Sequence, residues 1–244
     1  MKSILRVSDL NKDKILKGIS FDIKEGEMTA IMGPSGSGKS TLLYNVSGMD
    51  KPSSGKVWLG NIETAGLNED AKADLRLHRM GFVFQMMNML PNLNIIDNIA
   101  FPAVHSDRKN RKEYYKRAEM LMNRLNISKL AGRNIKDVSG GELQRACICR
   151  SMIMKPEIIF ADEPTGALNQ TAAADVMDAF LEVNREETTI MMVTHDSKVA
   201  SMCDRILYLL DGEIKGELVL GKYHESCGKE RELKTSNWLS SMGW

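Results

Sequence analysis

One glycine-rich segment constrains the fold of this chain more than any other feature. Residues 33–40 read Gly-Pro-Ser-Gly-Ser-Gly-Lys-Ser and fit the pattern G-x-x-x-x-G-K-[ST]. Met28–Met32, just before it, is apolar without alternation, which is typical of a strand buried on both faces of a parallel sheet. Lys39–Ser47, just after it, predicts a helix that ends at Gly48. A chance match in a glycine-rich turn would not carry these flanks, so the segment predicts a strand–loop–helix phosphate site.

The chemistry of such a loop follows from its residue types. Glycines allow the backbone N–H groups to turn inward around phosphate oxygens, and the helix directs its positive end at the same place. Lys39 supplies a point charge for β- and γ-phosphates, and the Ser40 hydroxyl can bind Mg²⁺. The predicted nucleotide-binding residues of this segment are Gly33, Pro34, Ser35, Gly36, Ser37, Gly38, Lys39, Ser40 and Thr41.

A second acidic element follows an apolar run much later in the chain. Ile158–Ala161 reads as a strand and ends in Asp162 and Glu163. Strand ends at the carboxyl edge of a parallel sheet are where α/β proteins place ligand groups. We therefore expect Asp162 to hold Mg²⁺ and Glu163, pointing the other way by strand alternation, to accept a proton from the attacking water. Standing alone, the two carboxylates would instead be a solvated pair at the start of a turn.

The order of patterns along the 244 residues predicts one domain, 1–244, in three parts. Strand-like segments within 1–85 and 156–220 form the β-rich core, helical periodicity dominates 86–155, and 221–244 is a polar, helix-prone tail. Asp211-Gly212 lies between two apolar runs and predicts a two-residue hairpin turn. The fold class is therefore α/β, with a helical insertion between strand-rich segments.

Further motifs identify a family. Val138-Ser139-Gly140-Gly141-Glu142 resembles the signature motif of ABC-transporter ATPases, Gln85 closes a segment that resembles their Q-loop, and His195 resembles their switch histidine. Ala167-Leu168-Asn169 is similar to their D-loop, and together these elements cover residues 1–220. The resemblance implies a P-loop NTPase core with a mostly parallel sheet, an antiparallel β subdomain and an inserted α-helical subdomain.

The resemblance also implies roles for these residues and a need for a second copy. Ser139 and Glu142 have the spacing of a capping box, so their helix should begin with ordered, exposed N–H groups. In the family, the groups that correspond to Ser139, Gly140, Gly141 and Glu142 bind the γ-phosphate of an ATP held by the other subunit of a homodimer. His195 would contact that phosphate and the attacking water. Gln85 would touch Mg²⁺ or water, so the catalytic set is Glu163, His195, Lys39 and Gln85, and the metal set is Ser40, Gln85 and Asp162.

Three departures from the family pattern affect these expectations. Asn169 replaces the usual D-loop aspartate, which removes a charge and can alter communication between the two sites. Glu142 replaces glutamine and adds negative charge near phosphate, and the repulsion would be reduced if Glu142 folds back to cap Ser139. No aromatic residue lies between Leu5 and Gly18 to stack on adenine, so the base is weakly discriminated or held by aliphatic contacts.

The function that this resemblance implies is ATP hydrolysis that drives a membrane permease. Segments after the Q-loop and after Asp162 resemble ATPases of macrolide-exporter, lipoprotein-releasing and bacitracin-efflux systems, whose permeases have large extracytoplasmic domains. The chain is then cytoplasmic and peripheral on the inner face of the cell membrane. The alternative is a soluble ABC ATPase of DNA repair or translation, but such relatives usually carry two cassettes, zinc modules or long coiled coils. A P-loop kinase or GTPase would give no reason for Ser139–Glu142.

Composition sets limits on other classes. Thirty-three basic and 32 acidic residues leave a net charge of +1, which argues against a protein that coats nucleic acid. No apolar run reaches the roughly 20 residues that span a bilayer, no signal peptide is visible, and four cysteines suit reduced cytosolic thiols. The basic run Arg108–Lys112 with Lys116 and Arg117 is a solvated helix face or a face near lipid headgroups. Met86, Met87 and Met89 form a docking groove for the permease or fill the core.

Overall fold

The computed structural model describes residues 2–244 and builds them into two sheets and eight α-helices. The strands are β1 Ser3–Lys12, β2 Leu16–Lys24, β3 Met28–Met32, β4 Ser54–Leu59, β5 Ile62–Glu63, β6 Met80–Phe84, β7 Ile158–Asp162, β8 Thr189–Val193, β9 Arg205–Leu210 and β10 Glu213–Val219. The helices are α1 Lys39–Val46, α2 Glu69–Arg79, α3 Ile95–Ser106, α4 Arg111–Arg124, α5 Gly140–Met152, α6 Gln170–Arg185, α7 Ser197–Ser201 and α8 Gly228–Ser241.

A six-stranded sheet in the order β10-β9-β3-β8-β7-β6 forms the centre of the molecule. Its pairs β9-β3, β3-β8, β8-β7 and β7-β6 are parallel, and only the edge strand β10 is antiparallel. Every residue of β3, β7 and β8 is buried, which confirms the prediction made for β3 from its apolar sequence. Because parallel strands end at one edge, the carboxyl ends of β3, β7 and β8 meet there and bring residues 33, 163 and 194 together in space.

A second, smaller sheet packs on one side of the central one. It has the order β2-β1-β4-β5, and its pairs are antiparallel. Its inner face shares one hydrophobic cluster with α1 and with residues of the central sheet such as Ile31 and Phe160. The chain thus has the mostly parallel core and the antiparallel β layer that the family resemblance implied.

Helices α3, α4 and α5 pack together and share a second cluster with the central sheet. Helix α5 begins at Gly140 as predicted and ends at Met152, two residues early. Helices α2 and α3 were not predicted: α2 is polar overall and buries only Lys72 and Leu75, and α3 contains Pro102. Cys147 and Cys149 are fully buried in α5, which agrees with a structural interpretation of both cysteines.

The tail of the chain folds back on the sheet. Helix α8 buries Leu239, and the ring of Trp238 lies edge-on to Tyr208 of β9 with centroids 6.3 Å apart. Asp211 and Gly212 have φ values of 50° and 80°, which confirms the two-residue turn between β9 and β10. Within residues 2–244, no helix combines the length and the apolar character needed to cross a membrane.

Candidate nucleotide-binding site

The glycine-rich loop joins the buried strand β3 to helix α1, as the sequence predicted. Gly38 lies at the N-cap of α1 with φ 100°, a conformation that side chains disfavour, and no side chain of the described part of the chain caps the helix. The first N–H groups of a helix have no intrahelical partner, so this start is open to an anion. A Cβ on Gly33 would lie 2.0 Å from the carbonyl oxygen of Leu209, so only glycine fits there.

Lys39 and Ser37 point into this loop. The Lys39 ammonium donates to the carbonyl oxygens of Gly33 (2.8 Å) and Pro34 (2.9 Å), which leaves one of its three N–H donors for a phosphate. Burial lowers the pKa of Lys39, while the nearby carboxylates of Glu163 and Asp162 act in the opposite direction. The buried Ser37 hydroxyl has no hydrogen-bond partner within residues 2–244. These donors match the oxygens of a di- or triphosphate.

Asp162 ends β7 and is held by two hydroxyls from one face of α1. Ser40 Oγ donates to Asp162 Oδ1 at 3.0 Å, and Tyr44 Oη donates to Asp162 Oδ2 at 2.9 Å. Asp162 is 8% exposed. The predicted metal residues Ser40 and Asp162 are therefore neighbours. The sequence reasoning missed Tyr44; its position four residues after Ser40 on a predicted helix was the available signal.

The expectation that strand alternation directs the Glu163 side chain is wrong. Strand β7 ends at Asp162, and Glu163 has a φ of 48°, so a left-handed residue and not strand alternation directs its side chain. Glu163 Oε2 is hydrogen-bonded to His195 Nδ1 across the carboxyl edge of the sheet. The His195 side chain is 60% exposed and the Glu163 side chain is 21% exposed, so His195 reaches solvent while Glu163 is mostly buried.

Gln85 follows β6 and completes this cluster. A Cβ placed on Gly166 would lie 3.0 Å from Gln85 Nε2 and 3.3 Å from Glu163 Oε2, so the glutamine and the carboxylate approach the same point of the backbone. The fold thus brings Lys39, Ser40, Asp162, Glu163, His195 and Gln85 to one edge of the central sheet.

The segment Ser139–Glu142 forms a separate helix start. Its capping box is present: Ser139 N and Oγ donate to Glu142 Oε2 at 2.9 and 2.8 Å, and Glu142 N donates to Ser139 Oγ. The hydrogen bonds from Ser139, the backbone one first, hold the pKa of Glu142 below its usual value. Ser139 and Gly140 are exposed. A Cβ on Gly141 would lie 3.0 Å from that of Ala172, so this helix start packs against α6.

Two departures from the family pattern have local explanations. The side chain of Asn169 caps α6, since its Oδ1 accepts from Ala172 N at 2.9 Å. Near the loop that lacks an aromatic residue, Ile15 is 44% exposed, and its Cγ2 lies 3.1 Å from where a Gly38 Cβ would be. An aliphatic surface therefore borders the phosphate loop.

The donor set decides whether Mg²⁺ fits. No group of three or more His, Cys, Asp or Glu side chains within residues 2–244 could hold a metal by itself. Mg²⁺ commonly binds through one or two protein oxygens plus substrate phosphates and water. Ser40 and Asp162, beside an open phosphate loop, match that requirement.

Comparisons with known proteins agree with this geometry. A profile of the ABC transporter family matches residues 16–166. The lipoprotein-releasing system ATP-binding protein LolD of Aquifex aeolicus (strain VF5) is 40% identical over 222 residues, which cover 89% of this chain and 99% of LolD. The macrolide export ATP-binding/permease protein MacB of Agrobacterium fabrum (strain C58 / ATCC 33970) is 41% identical over 201 residues, 82% of this chain and 31% of MacB.

A solved structure has the same fold. The dimeric post-hydrolysis state of the ATP-binding cassette MJ0796, bound to ADP and Pi, superposes with a TM-score of 0.79 at 34% identity. The match covers 90% of this chain and 100% of that cassette. The family profile, the relatives and the structure together agree with a nucleotide site that hydrolyses ATP. The chain belongs to the ABC transporter family, as one of its ATP-hydrolysing, ATP-binding subunits.

Proposed function

We propose that two copies of this chain bind Mg²⁺-ATP between them and use its hydrolysis to drive a membrane permease. One observation carries the proposal: the open, lysine-containing phosphate loop and the hydrogen-bonded Glu163–His195 pair lie at the same edge of one sheet. A phosphate site next to a carboxylate that can accept a proton is the minimum for attack by water on a terminal phosphate.

The chain's own residues have separable roles in this proposal. The loop amides and Lys39 bind and orient the phosphates, and Glu163 accepts the proton of the attacking water. His195 holds the Glu163 carboxylate through Nδ1 and reaches solvent, where it can contact the terminal phosphate. Gln85, close to Glu163 at Gly166, positions water and carries the nucleotide state into the helical segment 86–155.

Mg²⁺ belongs to the same proposal. Ser40 and Asp162 would hold it together with the phosphates. When bound, Mg²⁺ neutralises charge that develops on the phosphate oxygens. The absence of an all-protein metal cluster within the described residues supports a cation that arrives with the nucleotide.

The second copy supplies the exposed helix start. Ser139, Gly140, Gly141 and Glu142 would bind the γ-phosphate held by the other subunit, and the dimeric state of the MJ0796 cassette supports such a pairing. Because each subunit contributes both its phosphate loop and its helix start at Ser139, the pair closes with two-fold symmetry around two nucleotides. Opening and closing of this pair is the motion delivered to the permease.

A cleft between α2, β6, α3 and α5 is the proposed permease contact. It has a volume of about 410 Å³, and Met49, Leu90 and Phe101 at its rim are each more than 40% exposed. Contiguous exposed apolar surface marks interaction sites. Met86 is 77% exposed and can serve such a contact, whereas Met89 is 9% exposed and belongs to the core. The two interpretations of the methionines therefore apply to different residues.

The kind of permease is part of the proposal. The names of LolD and MacB join ATP binding to lipoprotein release and to macrolide export by a permease, respectively. By analogy, the partner here is an integral membrane protein with a large extracytoplasmic domain. The ATPase then lies on the cytoplasmic face of the membrane. A soluble ATPase of DNA repair or translation is the second candidate.

Nucleotide-linked pairing tests the proposal. Glu163→Gln should bind ATP without turning it over, and with Mg²⁺-ATP it should elute as a dimer in size-exclusion chromatography with light scattering. ATPase turnover per molecule of the native chain should fall on dilution, because the site needs two copies. A Glu163→Gln, Ser139→Arg double variant is the matched control and should stay monomeric while still binding ATP. Turnover that is independent of concentration, with a monomeric Glu163→Gln protein, would overturn the two-copy scheme.

A further inference from the structure

The Asp162 carboxylate is held at both oxygens, and one of the two donors has no role so far. Ser40 and Tyr44 are four residues apart on α1, so they lie on one face of the helix, and both face the end of β7. Ser40 Oγ lies 3.0 Å from Oδ1, and Tyr44 Oη lies 2.9 Å from Oδ2. The two hydroxyls therefore fix the plane of the carboxylate between them.

We propose that Tyr44 is a positioning residue for the metal site: its phenol holds Oδ2 of Asp162 and thereby presents Oδ1, beside Ser40, to the divalent cation of the bound nucleotide. This inference rests on the proposed Mg²⁺ site at Ser40 and Asp162. The terminal torsion of aspartate is broad, so a carboxylate held at only one oxygen is less firmly oriented than one held at both. Partners that orient a metal-binding carboxylate typically contribute 10- to 100-fold to metal affinity or activity.

The surroundings of Tyr44 suit a fixed donor. Its ring packs against the hydrophobic cluster below the small sheet, and its backbone carbonyl accepts from the amides of Met49 and Asp50. A phenol is protonated at neutral pH, so the Tyr44 hydroxyl is available as a donor to Asp162. Because the ring is anchored, loss of the hydroxyl alone should leave the fold in place.

Tyr44→Phe removes the hydroxyl and keeps the ring. Binding of Mn²⁺ in the presence of saturating ADP is followed by electron paramagnetic resonance, and binding of ADP in EDTA is measured separately. We expect the Mn²⁺ dissociation constant to rise about tenfold. ADP binding in EDTA should change less than twofold, because the phosphate loop does not depend on Tyr44. Tyr44→Gln keeps a donor, so its Mn²⁺ dissociation constant should lie between those of the native protein and of Tyr44→Phe. It also provides a second variant if the phenylalanine protein does not fold.

Tyr115→Phe is the matched control, because Tyr115 also donates to a carboxylate, Asp97 Oδ1, but lies on α4 outside this site. Its Mn²⁺ affinity should equal that of the native protein. The inference is wrong if Tyr44→Phe binds Mn²⁺ within twofold of native, if it loses ADP binding in EDTA equally, or if Tyr115→Phe reproduces the loss. If the native protein with ADP binds no Mn²⁺, the proposed metal site itself fails, which is a different result.

Discussion

At the scale of single residues, groups that are proposed to bind phosphate already have partners within the chain. The Lys39 ammonium is 8% exposed and donates to two loop carbonyls, and the Ser139 hydroxyl donates to Glu142. A buried charge without a partner costs several kcal/mol, so the two carbonyl contacts stabilise the Lys39 ammonium within the fold. Lys39 keeps one N–H for a phosphate, whereas at Ser139 the proposed contact with nucleotide would exchange the hydrogen bond to Glu142 for another.

Glu142→Gln tests this exchange at the signature helix. Glutamine can still accept from Ser139 N, so the cap remains, but the negative charge near the partner's γ-phosphate is removed. Two unit charges about 4 Å apart in water interact by about 1 kcal/mol, so we expect the ATP concentration for half-maximal dimer formation to fall about fivefold. Light scattering in a Glu163→Gln background measures it, with Glu119→Gln on α4 as an exposed control. An unchanged ATP requirement would show that the charge of Glu142 is not felt across the interface.

Acid should weaken the native cap in a defined direction. Because Glu142 has a lowered pKa in the folded chain, its contribution to stability is present above the usual carboxyl pKa. It is lost as the pH falls through the lower, folded value. Glu142→Gln should remove this part of the acid dependence of unfolding and leave the rest in place.

At the scale of elements, helix α8 is fixed to the sheet by a buried cation that has no carboxylate bound to it within residues 2–244. The Arg231 guanidinium is in a residue only 7% exposed, and it donates to five carbonyl oxygens from the ends of α7 and β10, those of Ser201, Cys203, Leu220, Gly221 and Lys222. Burial lowers the pKa of Arg231, with the charge of Asp204 acting in the opposite direction. Hydrogen bonds from the guanidinium to carbonyl oxygens, rather than an ion pair, therefore hold α8 against the sheet.

Removing the Arg231 hydrogen bonds should destabilise the fold. Arg231→Ala leaves several carbonyls without a donor and opens a cavity, so we expect the free energy of unfolding to fall by about 3 kcal/mol. Unfolding in guanidinium chloride, followed by circular dichroism, measures the change. Lys229→Ala on the exposed face of α8 is the control and should alter it by less than about 0.5 kcal/mol. A loss below 1 kcal/mol for Arg231→Ala would mean that water satisfies the carbonyls and that α8 is held by Leu239 and Trp238 alone.

At the scale of the whole molecule, the nucleotide edge and the apolar cleft belong to the same structural unit. Strand β6 carries Gln85 at its carboxyl end and lines the cleft with Met80, Phe82 and Phe84. Gln144 of α5 donates to the carbonyl of Phe84 at 3.1 Å, so the helical layer is tied to this strand just before Gln85. A shift of Gln85 on nucleotide binding would therefore move the wall of the cleft.

Phe101→Glu tests the cleft as the permease contact. Aromatic anchors at interfaces typically contribute 2 kcal/mol or more, so a charge at this position should reduce co-purification with the permease at least tenfold. ATPase activity of the isolated subunit should stay within about twofold of native. Met120→Glu, at an exposed apolar residue of α4 outside the cleft, is the control and should co-purify normally. Normal capture of Phe101→Glu would exclude this cleft as the main contact.

Local sequence determined the elements whose signals are short-range. The loop at Gly33–Ser40, the capping box at Ser139 and Glu142, and the Asp211-Gly212 turn each depend on residues within a few positions of one another. The apolar run of β3 likewise determined its burial on both faces. These features appear as predicted because backbone conformation and hydrogen bonding within one turn decide them.

Only the tertiary structure decided how distant groups meet. The bond from Tyr44 to Asp162 joins residues 118 positions apart, and no pattern in either segment specifies it. The orientation of Glu163 depends on a left-handed residue at a strand end, where neighbours across the sheet outweigh the strand period. Helices α2 and α3 likewise depend on surfaces supplied by other elements. The same is true of the hydrogen bonds by which Arg231 fixes α8 to the ends of α7 and β10. Such contacts balance desolvation against packing over the whole fold, and a local sequence pattern does not contain that balance.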